Sequence, residues 1–150
     1  MIVHTALSKT PPPSMFQLVT DQWTEPFWEA ARAHRLVAPR CSACGLHRFP
    51  PTPFCPRCQA QGLDWVTLSG VGKVYSYTIV VRAVIPEMEP HLPYVPAVIE
   101  LPDAQGCRLI SNIVDAPLED IRVGCEVHVV WDHVREGVVV PRFALGAGGS

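Results

Sequence analysis

The sequence predicts a mainly β protein with one N-terminal helix, in which a zinc-binding ribbon leads into a five-stranded barrel of the OB type. Three observations carry this expectation. Two C-x-x-C pairs, Cys41/Cys44 and Cys55/Cys58, fall inside the stretch Arg40–Cys58. A helix-type segment precedes them. After Cys58 the chain changes character and gives five β-type runs separated by glycine and proline turns, in about eighty residues, where a sandwich would use about seven.

Residues 1–23 hold Pro11-Pro12-Pro13 and no periodicity, so they form an extended arm; a triple proline lies inside neither a helix nor a central strand. The helix is expected from Glu25 to Val37. Thr24 is placed to cap it, Pro26 is tolerated in the first turn, and Glu25 and Glu29 suit the positive N-terminal end. Phe27, Ala30, Ala31 and His34 share one face, with Trp28 on its flank, and this face docks the helix on the main domain or on a partner. Pro39 stops the helix and delivers the chain to the first cysteine pair.

Each C-x-x-C pair folds as a tight knuckle that aims two thiolates at one point. Two knuckles complete the tetrahedron that zinc prefers, so Cys41, Cys44, Cys55 and Cys58 are expected to hold one structural zinc ion. Four sulfurs leave no open position for water or substrate, which argues against a catalytic metal. Cys107 and Cys125 lie in apolar strand-like stretches and read as small hydrophobes. His128 is three residues from Cys125, an odd offset that sends the two side chains to opposite faces of a strand and disfavours a dyad.

The expected barrel strands are Val71–Arg82, Ala97–Leu101, Arg108–Val114, Glu126–Val134 and Val138–Phe143. Gly70 and Gly72 suit a bulge or bend that lets a long first strand curl across the barrel. Pro86 to Pro96 carries four prolines and reads as a surface loop suited to recognition, with Met88, Leu92 and Tyr94 as apolar groups facing solvent. The organisation that follows is an arm over 1–23, helix and ribbon over 24–62, barrel over 63–145 and a flexible glycine-rich tail over 146–150.

A chain of 150 residues, 48% hydrophobic, suits a single main core. No apolar run approaches the ~20 residues that span a bilayer, and the N-terminus lacks a basic region followed by an apolar one, so a cytoplasmic protein without membrane association is expected. The net charge of −2 conceals an asymmetry. Between Glu29 and Asp64 stand Arg32, Arg35, Arg40, Arg48 and Arg57 with no acid, whereas from Asp64 onward there are eleven acids against six basic residues. A zinc–tetrathiolate unit of charge −2 absorbs part of this excess; the remainder suggests an anion site, since arginine offers the planar fork suited to phosphate. Nucleic acid is the second choice of ligand. Ribbons and OB barrels often bind it and Tyr75 and Tyr77 could stack bases, but the barrel is acidic and lysine nearly absent, where a polyanion normally needs an extended basic track.

The run Phe27-Trp28-Glu29-Ala30-Ala31-Arg32, then Arg40-Cys-x-x-Cys-Gly, Phe49-Pro50-Pro51 and Cys55-Pro56-x-Cys58, resembles the N-terminal part of a zinc-ribbon OB-fold family long catalogued as a domain of unknown function. The likeness continues through Ser69–Thr78, Pro93–Leu101, Arg108–Asp115 and Val123-Gly124, so it covers roughly residues 24 to 143. The resemblance implies a rubredoxin-like zinc ribbon and a C-terminal OB barrel. It also implies a non-catalytic, acyl-CoA-associated accessory subunit of thiolase-fold enzymes: thiolases, lipid-transfer-protein-like aldolases or acyltransferases. On that expectation Arg40, Arg48, Phe49 and Tyr94 are the candidates for contact with CoA or the partner.

No autonomous catalytic constellation is present. There is no G-x-S-x-G, no H-E-x-x-H and no phosphate loop, and Gly70-Val71-Gly72 lacks the third glycine and following helix of a dinucleotide site. This agrees with the role the resemblance implies, a non-catalytic accessory subunit whose chemistry is done by the partner.

Overall fold

A computed structural model describes residues 6–15 and 17–146. Positions 1–5 of the expected arm and 147–150 of the expected tail lie outside the described residues.

The helix α1 runs over Glu25–Arg32, five residues short of its expected end. Its start is set by Asp21, not Thr24. The Asp21 carboxylate accepts the N–H groups of Trp23 and Thr24, both at 2.9 Å, while the Asp21 N–H donates to Thr24 Oγ1 at 3.2 Å. Asp21 is thus the capping oxygen, and Thr24 supplies the reciprocal bond. Its end is a Schellman closure: His34 takes φ +57°, its N–H donates to Ala31 O and that of Arg35 to Ala30 O, both at 2.9 Å. A histidine occupies the left-handed position where glycine is usual, so the stop carries no glycine signal. The chain released there becomes β1 (Val37–Cys41), which pairs antiparallel with β2 (Leu63–Thr67). Leu63–Thr67 lies on the barrel side of the boundary read from the sequence, yet its hydrogen bonds belong to the ribbon.

The remaining strands are β3 (Val71–Tyr77), β4 (Val95–Leu101), β5 (Cys107–Ile113), β6 (Glu126–Arg135) and β7 (Val138–Leu145), closed in the order β3-β4-β5-β7-β6. The expected five-stranded barrel is present. Its first strand is shorter than expected, however: the strand ends at Tyr77, and the line continues through a bond from the Thr78 N–H to Pro96 O at 3.1 Å and an isolated bridge from Val80 to Tyr94. The register shift in β3 falls at Val74–Ser76, not at the glycines. Gly72 serves close approach instead, because a Cβ there would meet Ile99 Cγ2 at 2.4 Å.

Alternation along β4 sends Val95, Ala97, Ile99 and Leu101 into the barrel, where they meet Val74, Val127, Ile113 and Phe143. Phe27 and Ala30 of α1 join the same buried cluster, so helix, ribbon and barrel share one core. The arm is laced to the barrel rather than loose. Ser8 is 1% exposed, its N–H donates to Ala116 O at 2.9 Å and its hydroxyl accepts the Ala116 N–H at 3.1 Å. The proline-rich segment after β3 contains a 3₁₀ turn over Pro86–His91, and Met88, Leu92 and Tyr94 within it are half-buried.

Candidate metal centre and its surroundings

Both knuckles are built alike. The N–H of Gly45 donates to Cys41 O at 2.9 Å and that of Cys41 to Leu46 O at 2.8 Å; in the second, Gln59 donates to Cys55 O and Cys55 to Ala60 O, each at 2.8 Å. Each turn needs a left-handed residue just after its second cysteine, supplied by Gly45 (φ +79°) and Gln59 (φ +64°). The repeat brings Cys41 Sγ to 3.5 Å from Cys58 Sγ and Cys44 Sγ to 3.6 Å from Cys55 Sγ, and all four sulfurs lie within 4.8 Å of one another. Four sulfurs each about 2.3 Å from a common centre stand about 3.8 Å apart, so the cluster has the size of a tetrahedral zinc site.

The electrostatics agree with that fit. The backbone N–H of Cys44, with that of Ala43, favours the Cys41 thiolate and pushes it down to about 6. The N–H of Cys58 acts likewise on Cys55. Cys58 is pushed up to about 11: the Ala60 N–H favours its thiolate, but the neighbouring sulfurs, Cys41 first, and burial outweigh it. Four thiolates this close ionise together only around a cation, which is what a divalent metal supplies.

The arginine excess resolves differently from the expectation of an anion site. Arg32 pairs with Glu25 at 3.1 Å. Arg57 Nη2 donates to Cys44 O at 2.8 Å, bracing the knuckles against each other. Arg48 is 6% exposed, with Nε on Thr52 O at 3.1 Å and Nη2 on Gln61 O at 3.2 Å. Its guanidinium tethers the ribbon loop through two nitrogens and is largely buried, with Nη1 left without a hydrogen-bond partner. Arg35 is exposed and Arg40 half-buried, and neither forms an ion pair among the described residues. His47, beside Arg40 across an isolated bridge, has its imidazole pushed down by burial and then by the Arg40 charge.

The other expected contact residues are not brought together. Phe49 packs edge-on against Phe27, ring centroids 5.6 Å apart, in the wall of a cleft between helix and barrel. Tyr94 lines a separate hollow with Met88 and Met15. The two tyrosines considered for base stacking are engaged: Arg108 lies 3.7 Å over the Tyr75 ring, and the Tyr77 hydroxyl donates to Ile121 O at 3.0 Å. Sequence reasoning put His34 on the docking face of the helix but missed its pairing with His133, whose Nε2 meets that of His34 at 2.9 Å from a position 99 residues away. No local pattern marks such a pair. Cys107 and Cys125 are half-buried against the core, as small hydrophobes would be.

A closed four-cysteine centre on a ribbon that shares its core with a small barrel defines a zinc-ribbon OB-fold protein. Comparison with known families agrees: residues 28–64 match the ChsH2 rubredoxin-like zinc ribbon domain and residues 65–132 the ChsH2 C-terminal OB-fold domain. The chain belongs to this ChsH2 (DUF35) family. It is 39% identical over 118 residues to a probable enoyl-CoA hydratase alpha subunit of Thermomonospora curvata, covering 78% of this chain but only 36% of that protein. It is 38% identical to a DUF35 domain-containing scaffold protein of Methanocaldococcus jannaschii, over 67% of this chain and 70% of the relative. It is 31% identical to the benzoylsuccinyl-CoA thiolase subunit BbsA of Thauera aromatica, over 70% and 69%. Among solved structures, a chain of an Ltp2-ChsH2(DUF35) aldolase superposes with a TM-score of 0.77 at 34% identity, over 86% of this chain and 98% of that one. No helix among the described residues is long and apolar enough to cross a membrane.

Proposed function

We propose that the chain is a non-catalytic scaffold subunit that holds a thiolase-fold enzyme, of the thiolase, aldolase or acyltransferase kind, and helps to seat its acyl-CoA ligand. The observation that carries this reading is the likeness to the chain of the Ltp2-ChsH2(DUF35) aldolase, which spans nearly all of that chain and includes both ribbon and barrel. The relatives named as scaffold, hydratase alpha subunit and CoA thiolase subunit support the same role. The chemistry of the surface is compatible. Phe54, Val81, Val84 and Ile110 are large apolar groups left in solvent, 57%, 64%, 94% and 79% exposed, and are open to contact with a protein partner. Arg40, half-buried, and Arg48, through the nitrogen that no ribbon carbonyl takes, are the candidates for a CoA phosphate, and Phe49 and Tyr94 for apolar contact.

Co-expression with a thiolase-fold enzyme that uses acyl-CoA tests the reading. Co-elution on size exclusion, lost when Cys44→Ser removes the metal, is the expected result. Acyl-CoA chemistry performed by this chain alone, or no association with any such enzyme, would overturn it. Binding of single-stranded nucleic acid with steep salt dependence would point to the alternative class.

A further inference from the structure

The barrel is weakest where β5 meets β7. These strands share one parallel pair, Ile113 with Phe143, and beyond it side chains make the crossings: the Ser111 hydroxyl donates to Pro141 O at 2.8 Å and Arg142 Nη1 to Asn112 Oδ1 at 2.6 Å. The strands diverge from there, and the helix and the Phe49-Pro50-Pro51 turn roof the gap without filling it. What remains is a cavity of about 360 Å³, at the lower end of the range that small-molecule sites occupy, with Phe27, Trp28 and Phe49 on one side and Leu109 and Val140 on the other.

One charged residue lines it among the described residues, Arg142 at its barrel end. Arg142 is 8% exposed, with Nε on Asp132 at 3.2 Å and Nη1 on Asn112 at 2.6 Å. The hydrogen bonds of the side chain engage Nε and Nη1, which leaves Nη2 for a ligand in a chamber whose other lining groups are mainly apolar, with Thr24, Ser111 and Asn112 as its uncharged polar members. Asp132 already balances the charge, and a second anion would have to compete with it; a neutral acceptor such as a carbonyl would not.

We infer that this cavity binds a neutral apolar group, a ring system or branched acyl chain, whose carbonyl oxygen accepts a hydrogen bond from Arg142. This deepens the function proposed above, on which its biological meaning rests: the chain takes the acyl body of the ligand here, and no lining group suits the nucleotide end. Partner association without probe binding removes this inference alone, and probe binding without any partner removes the proposed function alone.

The probe is 6-propionyl-2-(dimethylamino)naphthalene, an apolar fluorophore with one ketone, titrated into the full zinc-loaded chain. Saturable one-to-one binding with a blue-shifted emission is expected. Val140→Phe fills the chamber from the barrel and Thr24→Phe from its helical rim; each is expected to weaken binding at least about tenfold with zinc content unchanged. The 6-propyl analogue, which lacks the ketone, should bind about tenfold more weakly than the parent probe, because it leaves the Arg142 donor unpaired. Absence of binding, or equal binding to both filled variants, overturns the site. Equal affinity for the two probes overturns the carbonyl contact with Arg142.

Discussion

His34 and His133 meet Nε2 to Nε2 at 2.9 Å, and the His34 ring lies stacked on Trp131 with its plane 5° away. One residue ends the helix and the other stands on β6, so the pair clasps the helix–ribbon junction to the barrel. His133→Ala removes the bond but leaves the stack, and should cost about 1 kcal/mol in urea unfolding. His34→Ala removes both and should cost more, with a shift in tryptophan emission that His133→Ala does not produce.

Zinc should leave with a single ligand. Cys44→Ser is expected to reduce bound zinc from one ion per chain to none and to unfold the ribbon, because so short a segment cannot hold itself together by its own core. Chelation of the wild-type protein should do the same. Unchanged zinc stoichiometry in the variant would contradict the assignment of the four cysteines.

The knuckles differ at one position. Gly45 fits its left-handed conformation without cost, while Gln59 at φ +64° pays for its Cβ. Gln59→Gly should therefore stabilise the protein by about 1 kcal/mol, read as a higher urea midpoint with zinc bound.

Phe27 joins the helix to everything it touches: it is 7% exposed and packs against Trp28 at 5.0 Å and Phe49 at 5.6 Å. Phe27→Ala should cost about 3 kcal/mol. If the helix were merely laid on the surface, the loss would be a fraction of that.

His47 gives a pH dependence. Burial, then Arg40, disfavours its protonated form in the folded protein, whereas the unfolded chain takes up the proton near 6.5. Its contribution is therefore complete above 6.5 and declines as the pH falls below it towards the depressed folded value. Comparing unfolding midpoints of wild type and His47→Leu at about pH 7.5 and about pH 5.5 isolates this slope, which should be shallower in the variant.

The sequence by itself determined whatever short spacing controls. Two cysteine pairs of three-residue spacing close together favour paired zinc knuckles, and alternating apolar residues such as Val95, Ala97, Ile99 and Leu101 fit one face of a strand. Hence the ribbon, its four ligands and the five barrel strands were legible in order. Tertiary structure decided the rest, because it depends on partners distant along the chain. Leu36 and Val37 continue the helical pattern, but pairing with Leu68 and Thr67 claims them for a strand, and His34 must then close the helix. Arg48 and Arg57 look in sequence like a phosphate patch, since a guanidinium serves an anion and a backbone carbonyl equally well; only the folded ribbon shows the carbonyls of Thr52, Gln61 and Cys44 in place. The cavity beside Arg142 has no sequence signal at all. It exists because two strands touch at one pair and then diverge, a property of closing the barrel and not of any segment within it.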